Sequence, residues 1–223
     1  MRNILIVVLL AASAAQAQTN INIDFGNLGG SPPASYAGAG SGGIWNVVAA
    51  LGAAPTGGFV DINGNPTGLI ITSSQELFDV RANHGLPSIP QPDNSLLSDY
   101  LCGTSGRLTL TFSGLSPGNF KVITYVTVDT TPVDAVPTTV TPFGNPALAA
   151  EIEGWWEEGL AEGMTHSVHE LLLPSGSFTL QLSVDDDACA NGIQLIALPE
   201  PALASVLSAG MLVVCRWRGR RKR

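Results

Sequence analysis

Arg107-Leu108-Thr109-Leu110-Thr111-Phe112-Ser113 runs directly into Gly114-Leu115-Ser116-Pro117-Gly118-Asn119-Phe120. Leu108, Leu110 and Phe112 fall on alternate positions, with Thr109 and Thr111 between them. A strand sends successive side chains to opposite faces, so this period of two predicts a half-buried β-strand. Ser116-Pro117-Gly118-Asn119 then carries turn chemistry: proline presets φ, glycine supplies positive φ, and asparagine bonds its own backbone. The chain is expected to reverse there into a second strand, Phe120 to Val128.

The same grammar extends in both directions. His166 to Leu173 passes through Pro174-Ser175-Gly176 into Ser177 to Val184, where Phe178, Leu180, Leu182 and Val184 share a face. Gly192 to Leu198 closes the region, and Asn20 to Phe25 opens it. Thr67 to Thr72 follows Asn63-Gly64, a hairpin dipeptide. Short strands at close spacing with turns between them predict an all-β sandwich or barrel. Ile44 to Leu51 and Ser95 to Leu101 read instead as one or two helical turns each, covering an end of the sandwich. Thr130 to Ala147, rich in Pro, Thr and Val, reads as a long loop or an edge strand.

The ends of the 223-residue chain have their own logic. Arg2, the apolar run Ile4 to Ala12 and Ala15-Gln16-Ala17 make a secretory signal, with the mature start at Gln18. At the other end Pro199-Glu200-Pro201 precedes an apolar run, Ala202 to Cys215. The basic residues Arg216, Arg218, Arg220, Arg221, Lys222 and Arg223 follow it. Fourteen apolar residues fall short of the roughly twenty that span a bilayer, so the run is a short membrane helix that needs tilt or local thinning. The basic cluster is expected to stay cytoplasmic, leaving the bulk of the chain outside.

This tail resembles the PEP-CTERM sorting signal of exported bacterial proteins. Residues 199–201 match the motif, 202–215 the helix and 216–223 the basic end. The resemblance implies signal peptidase and an exosortase-type transpeptidase as processing partners. It also implies an inner-membrane intermediate before the cell surface or extracellular matrix. The sequence leaves open whether the tail is removed or kept as an anchor.

Between the ends, residues 18–198 form one domain with enough length for a core. Arg81, Arg107 and Lys121 are the only basic residues against seventeen Asp and Glu, a net of about −14 that the whole-chain value of −8 conceals. Such a surface repels phosphate backbones, which excludes nucleic acid as a partner. It tolerates cations and neutral sugars, and it keeps an exported protein in solution.

The order of short motifs here resembles galactose-binding-like jelly-roll domains of exported bacterial proteins. A first strand ends in Asp24-Phe25, and a Gly-rich loop leads to Trp45-Asn46. The turn Asp61 to Gly68, the hairpin Gly114 to Phe120 and a closing strand Asn191 to Leu195 follow. The resemblance implies a two-sheet jelly roll of carbohydrate-binding-module type, and a surface polysaccharide as partner.

Trp155-Trp156 is the strongest ligand-binding feature. Glu151, Glu153, Glu157 and Glu158 surround the pair. Indole faces stack on the apolar faces of sugars while carboxylates accept hydroxyl hydrogen bonds. Trp155, Trp156, Glu153 and Glu157 are therefore the expected sugar-binding residues. The alternative is one core tryptophan and one covering a loop, because large aromatics are mostly buried. Trp45 reads as core on the same ground. Asp185-Asp186-Asp187 suits a structural Ca²⁺, which takes six to eight oxygens, or else is a solvated acidic turn. The reading requires no other cofactor.

His166 and His169 lack the His-Glu-x-x-His order of a zinc protease, and on a strand they face opposite ways. Cys102 and Cys189 are the two cysteines of the exported region, and their compartment permits a bridge that sequence alone cannot establish. No Gly-x-Ser-x-Gly elbow, phosphate loop or selected pair of carboxylates appears. The expectation is a non-catalytic, carbohydrate-binding surface protein. A structural or adhesive protein without a defined ligand is the alternative, and a glycoside hydrolase stands third.

Overall fold

A computed structural model describes residues 19–81, 89–126, 137–156, 159–185 and 187–199. The expected signal at 1–17, Gln18, Glu200 and Pro201, the apolar run and the basic tail lie outside the described residues. Among the described residues no helix is long and apolar enough to cross a membrane.

The strands are β1 (Ile21–Phe25), β2 (Trp45–Val48), β3 (Ala50–Leu51), β4 (Ile70–Ser73), β5 (Leu77–Arg81), β6 (Asp99–Cys102), β7 (Arg107–Ser113) and β8 (Gly118–Tyr125). Then follow β9 (Thr138–Pro142), β10 (Ala150–Ile152), β11 (His166–Leu173), β12 (Phe178–Ser183), β13 (Cys189–Ala190) and β14 (Gly192–Leu198). One short helix, α1 (Asp93–Leu97), precedes β6. The first sheet runs β11-β8-β14-β1-β2, the second β10-β9-β12-β7-β4, and a smaller third β13-β6-β5-β3. Among the described strands, pairing is antiparallel except between β1 and β2.

Two-residue periodicity builds the interior. Leu108, Leu110 and Phe112 of β7 and Phe178, Leu180 and Leu182 of β12 are buried together. They meet Ile21, Ile23 and Phe25 of β1, Phe120 and Val122 of β8, and Ile193 and Leu195 of β14 in one cluster. The first two sheets therefore pack face to face as a sandwich. Phe112 and Phe178 stack with centroids 4.6 Å apart and planes 8° from parallel, a contact worth about 0.5–1.5 kcal/mol beyond the buried area. The chain turns between β7 and β8, but not as the expected hairpin: β7 lies in the second sheet and β8 in the first, so Gly114 to Phe120 crosses from one sheet to the other. Gly114 has φ +78°, and any Cβ there would strike the Gly68 carbonyl.

Three segments differ from the sequence reading. Ser95 to Leu101 is helical only at its start: α1 ends at Leu97, and Asp99–Cys102 is strand β6, paired with β5 and β13. Ile44 to Leu51 is not helical: it holds β2 and β3, with β2 parallel to β1 at the sheet edge. Thr138–Pro142 is neither loop nor edge. It lies between β12 and β10, with Thr138, Val140 and Pro142 turned inward. The remaining expected strands form within a few residues of their expected limits.

A second apolar cluster lies on the outer face of the first sheet. Tyr36, Trp45, Leu96, Leu97, Ile123, Tyr125 and Trp156 pack there. Residues 36–41 are strapped to this face. The Tyr125 hydroxyl donates to Gln194 Oε1 (2.6 Å) and accepts from the Ala39 amide (2.7 Å). Gln194 Nε2 reaches Asn22 Oδ1 and the carbonyls of Ala37 and Ser41. These bonds satisfy polar groups that would otherwise be costly to bury.

Candidate functional site

The β10 edge carries the tryptophan pair. β10 pairs with β9 and turns Ile152 into the core, leaving Glu151 and Glu153 exposed. Gly154 then adopts φ +82°, and the backbone bonds the turn ahead of β11 through Glu153 N to Gly163 O and Gly154 N to Met164 O, both 2.8 Å. Trp155 emerges half-buried, its Nε1 donating to Glu153 Oε2 at 2.8 Å. The bond fixes the indole beside a carboxylate whose remaining acceptor capacity is open to solvent. Glu162, also exposed, belongs to the neighbouring turn.

Trp156 corrects the expectation of a paired platform. It is only 8% exposed and belongs to the outer cluster, against which Leu160, Val168 and Ile196 also pack. Its faces are covered by the protein, so it cannot stack on a ligand. Adjacent strand-like residues point opposite ways, and burying one indole frees the other. Glu157 lies outside the described residues. Trp45 is core as expected, 6% exposed, stacked 5.8 Å from Tyr36 with its Nε1 on the Tyr36 carbonyl.

Asp185 and Asp187 are exposed on the turn after β12, and Asp186 lies outside the described residues. Among the described residues no three His, Cys, Asp or Glu side chains form a ready-made ion shell. Cys102 and Cys189 sit directly opposite each other on β6 and β13, with Cα atoms 4.2 Å apart, and form a disulfide.

His166 and His169 face opposite sides of β11 and share no site. His166 packs against Tyr125 with centroids 5.5 Å apart and contacts Thr165 Oγ1. His169 contacts the Leu148 carbonyl through Nε2 at 3.0 Å. Burial holds both pKa values below the usual imidazole range, against the opposing pull of Glu162.

One cluster escaped the sequence reading. Asp24 on β1 is wholly buried, and neither of its oxygens has a hydrogen-bond partner among the described residues. Burial first, then Asp99 and Asp79, push its pKa up to about 9. The alternation of Ile21, Ile23 and Phe25 did place Asp24 on the opposite face of β1. Nothing in the sequence showed that face to be covered.

The fold and this edge define an all-β sandwich presenting one oriented indole among carboxylates. No family model matches the chain, and no curated protein matches it. Among solved structures it is similar to a Paenibacillus xanthan lyase, at 14% identity over 63% of this chain and 14% of that one, with a TM-score of 0.33. An exo-beta-1,3-galactanase from Phanerochaete chrysosporium matches at 17% identity over 44% and 23%, with a TM-score of 0.29. A two-domain esterase active on acetylated mannans matches at 8% identity over 64% and 42%, with a TM-score of 0.28. The chain thus spans less than half the length of each of these structures, and likenesses this slight carry no argument about its activity.

Proposed function

We propose that this is an exported, envelope-associated protein of jelly-roll type whose sandwich binds carbohydrate without catalysis. The single observation that carries the reading is Trp155, half-exposed on the β10 edge with its Nε1 held by Glu153 at 2.8 Å. A fixed indole loses little entropy when a sugar ring stacks on it. Exposed Glu151 and Glu153 stand ready to accept hydroxyl hydrogen bonds. The acidic surface suits a neutral glycan such as the cell's own exopolysaccharide.

The tail fits the same reading. β14 ends at Leu198, so the sandwich is complete immediately before Pro199, where the sorting motif begins. A transpeptidase could then act on residues 199–223 without disturbing the fold, after signal peptidase has removed 1–17.

A glycan array with the full chain and with Trp155→Ala tests the binding. The wild type should retain at least one class of neutral glycan, and the variant should lose it while melting at the same temperature. Equal binding by both, or none by the wild type, refutes it. Intact mass of the protein from its host should lack the signal and the tail.

A further inference from the structure

We infer that His169 is the positioning residue of the Trp155 edge: from the inner face of β11 it holds the backbone that leads into β10, and it lets go in acid. The consequence for sugar rests on the reading of Trp155 as a binding residue; the clamp itself does not, and it is tested without a glycan.

β10 and β11 are edge strands of the second and first sheets. The helical turn Pro146–Leu148 leads into β10, and β10 runs on into Glu153, Gly154 and Trp155. Three residue pairs join β10 to β9, a ladder too short to hold the segment by itself. At its far end the Glu153 and Gly154 amides bond the Gly163 and Met164 carbonyls, both at 2.8 Å. At its near end His169 Nε2 meets the Leu148 carbonyl at 3.0 Å, which ties the two sheets together across their edges. A carbonyl oxygen only accepts, so Nε2 carries the ring proton and donates it.

That tautomer leaves Nδ1 bare. His169 is 8% exposed, and its Nδ1 has no partner among the described residues. Ser167 Oγ lies two residues back on the same face, and Thr124 Oγ1 stands opposite Ser167 on β8; both are buried and unpartnered as well. A hydroxyl within reach would donate to the bare Nδ1, so neither stands where it could accept a proton from it. Protonation therefore puts a full charge and an unmet donor in a covered space, which is costly. Glu162, in the turn ahead of β11, attracts that charge, but burial outweighs it. The other charged groups around β11 face elsewhere. His166 and Glu170 lie on its opposite face, and Lys121 of β8 pairs with Glu170 there. Glu151 and Glu153 beside β10 are exposed, and β9 and Pro146–Leu148 carry no charge. Opening the Leu148 contact brings the imidazolium to water, so acid favours the open edge.

The test is amide hydrogen exchange by NMR on the full chain, at about pH 7.5 and about pH 5, on either side of the ordinary imidazole pKa. Protection at Glu153 and Gly154 is read relative to Leu110 in the core strand β7. In the wild type it should fall at least about threefold in acid, since each unit of pKa shift is tenfold in the opening equilibrium. His169→Gln should keep the neutral-pH protection at both values, because its amide can donate to Leu148 and does not titrate. His169→Ala should be weakly protected at both. Wild-type protection that ignores pH overturns the inference, and this comparison decides if a variant fails to fold. So does loss of protection in acid by His169→Gln, or neutral wild-type protection in His169→Ala. A glycan array empty at both pH values would instead refute the sugar reading, and the exchange result stands apart from it.

Discussion

Breaking the Cys102–Cys189 bridge should cost about as much stability as truncating a large core side chain. The bridge joins β6 to β13, a strand of only two residues whose ladder is too short to hold itself. It closes a loop of 87 residues that contains β7 to β12, most of the second sheet. In the chain-entropy account a loop of that length removes about 15 cal/mol/K from the unfolded chain, about 4.6 kcal/mol at 25 °C. With a urea slope of about 2 kcal/mol/M, the unfolding midpoint should fall by about 2 M. The assay is urea unfolding of the full chain, followed by tryptophan fluorescence, oxidised and with reductant. Cys102→Ala/Cys189→Ala should sit near the reduced midpoint and ignore reductant. A reduced midpoint within about 0.3 M of the oxidised one would refute the reasoning, because the crosslink would then constrain little of the unfolded chain.

Four further outcomes follow from named groups. Asp24 has its pKa raised from 3.8 to about 9, so the folded state holds a proton that the unfolded state releases across that window. Stability should therefore fall as pH rises from about 4 to 9, by up to about 1.4 kcal/mol per unit, and Asp24→Asn should flatten the slope in pH-dependent melting. His166 and His169 have lowered pKa values, so their contribution is complete above about 6.5 and is lost as pH falls below it. Replacing both by Gln should leave the alkaline slope untouched in the same melts. Phe178→Ala should cost about 3–5 kcal/mol by denaturant titration, for it is 3% exposed and stacked on Phe112. Leu172→Ala, at 64% exposed, should change stability by less than about 0.5 kcal/mol.

The strands that pack across the core were legible because burial on one face writes itself as alternation. β7 carries Leu108, Leu110 and Phe112 with threonines between, and its limits agree with the sequence reading. β11 and β14 agree as well. Ile44 to Leu51 misled because β2 takes its shape from a parallel partner twenty-odd residues away, not from its own pattern. Trp45 and Val48 are buried while Asn46 and Val47 are not, which suits one helical turn as well as a strand. In Thr138–Pro142 the proline-rich surroundings hid an inward alternation. Pro142 is tolerated because it ends the strand, where its missing donor matters least.

The site was half legible. The Trp-Trp pair among glutamates was visible, and so was the rule that neighbours point opposite ways. Which indole faces solvent depended on the outer cluster built by Tyr36, Trp45 and α1, whose convergence no local pattern encodes. Asp24, Asp79 and Asp99 were invisible for the same reason. Separated by 55 and 20 residues in the chain, they meet only once the third sheet folds over β1.

The sharpest trial of the binding account is the mobility of the full chain in native gels cast with and without the host's exopolysaccharide. Retardation of the wild type in the polysaccharide gel, and free migration of Trp155→Ala at unchanged melting temperature, is the predicted pattern. Equal retardation of both proteins, or of neither, would contradict it.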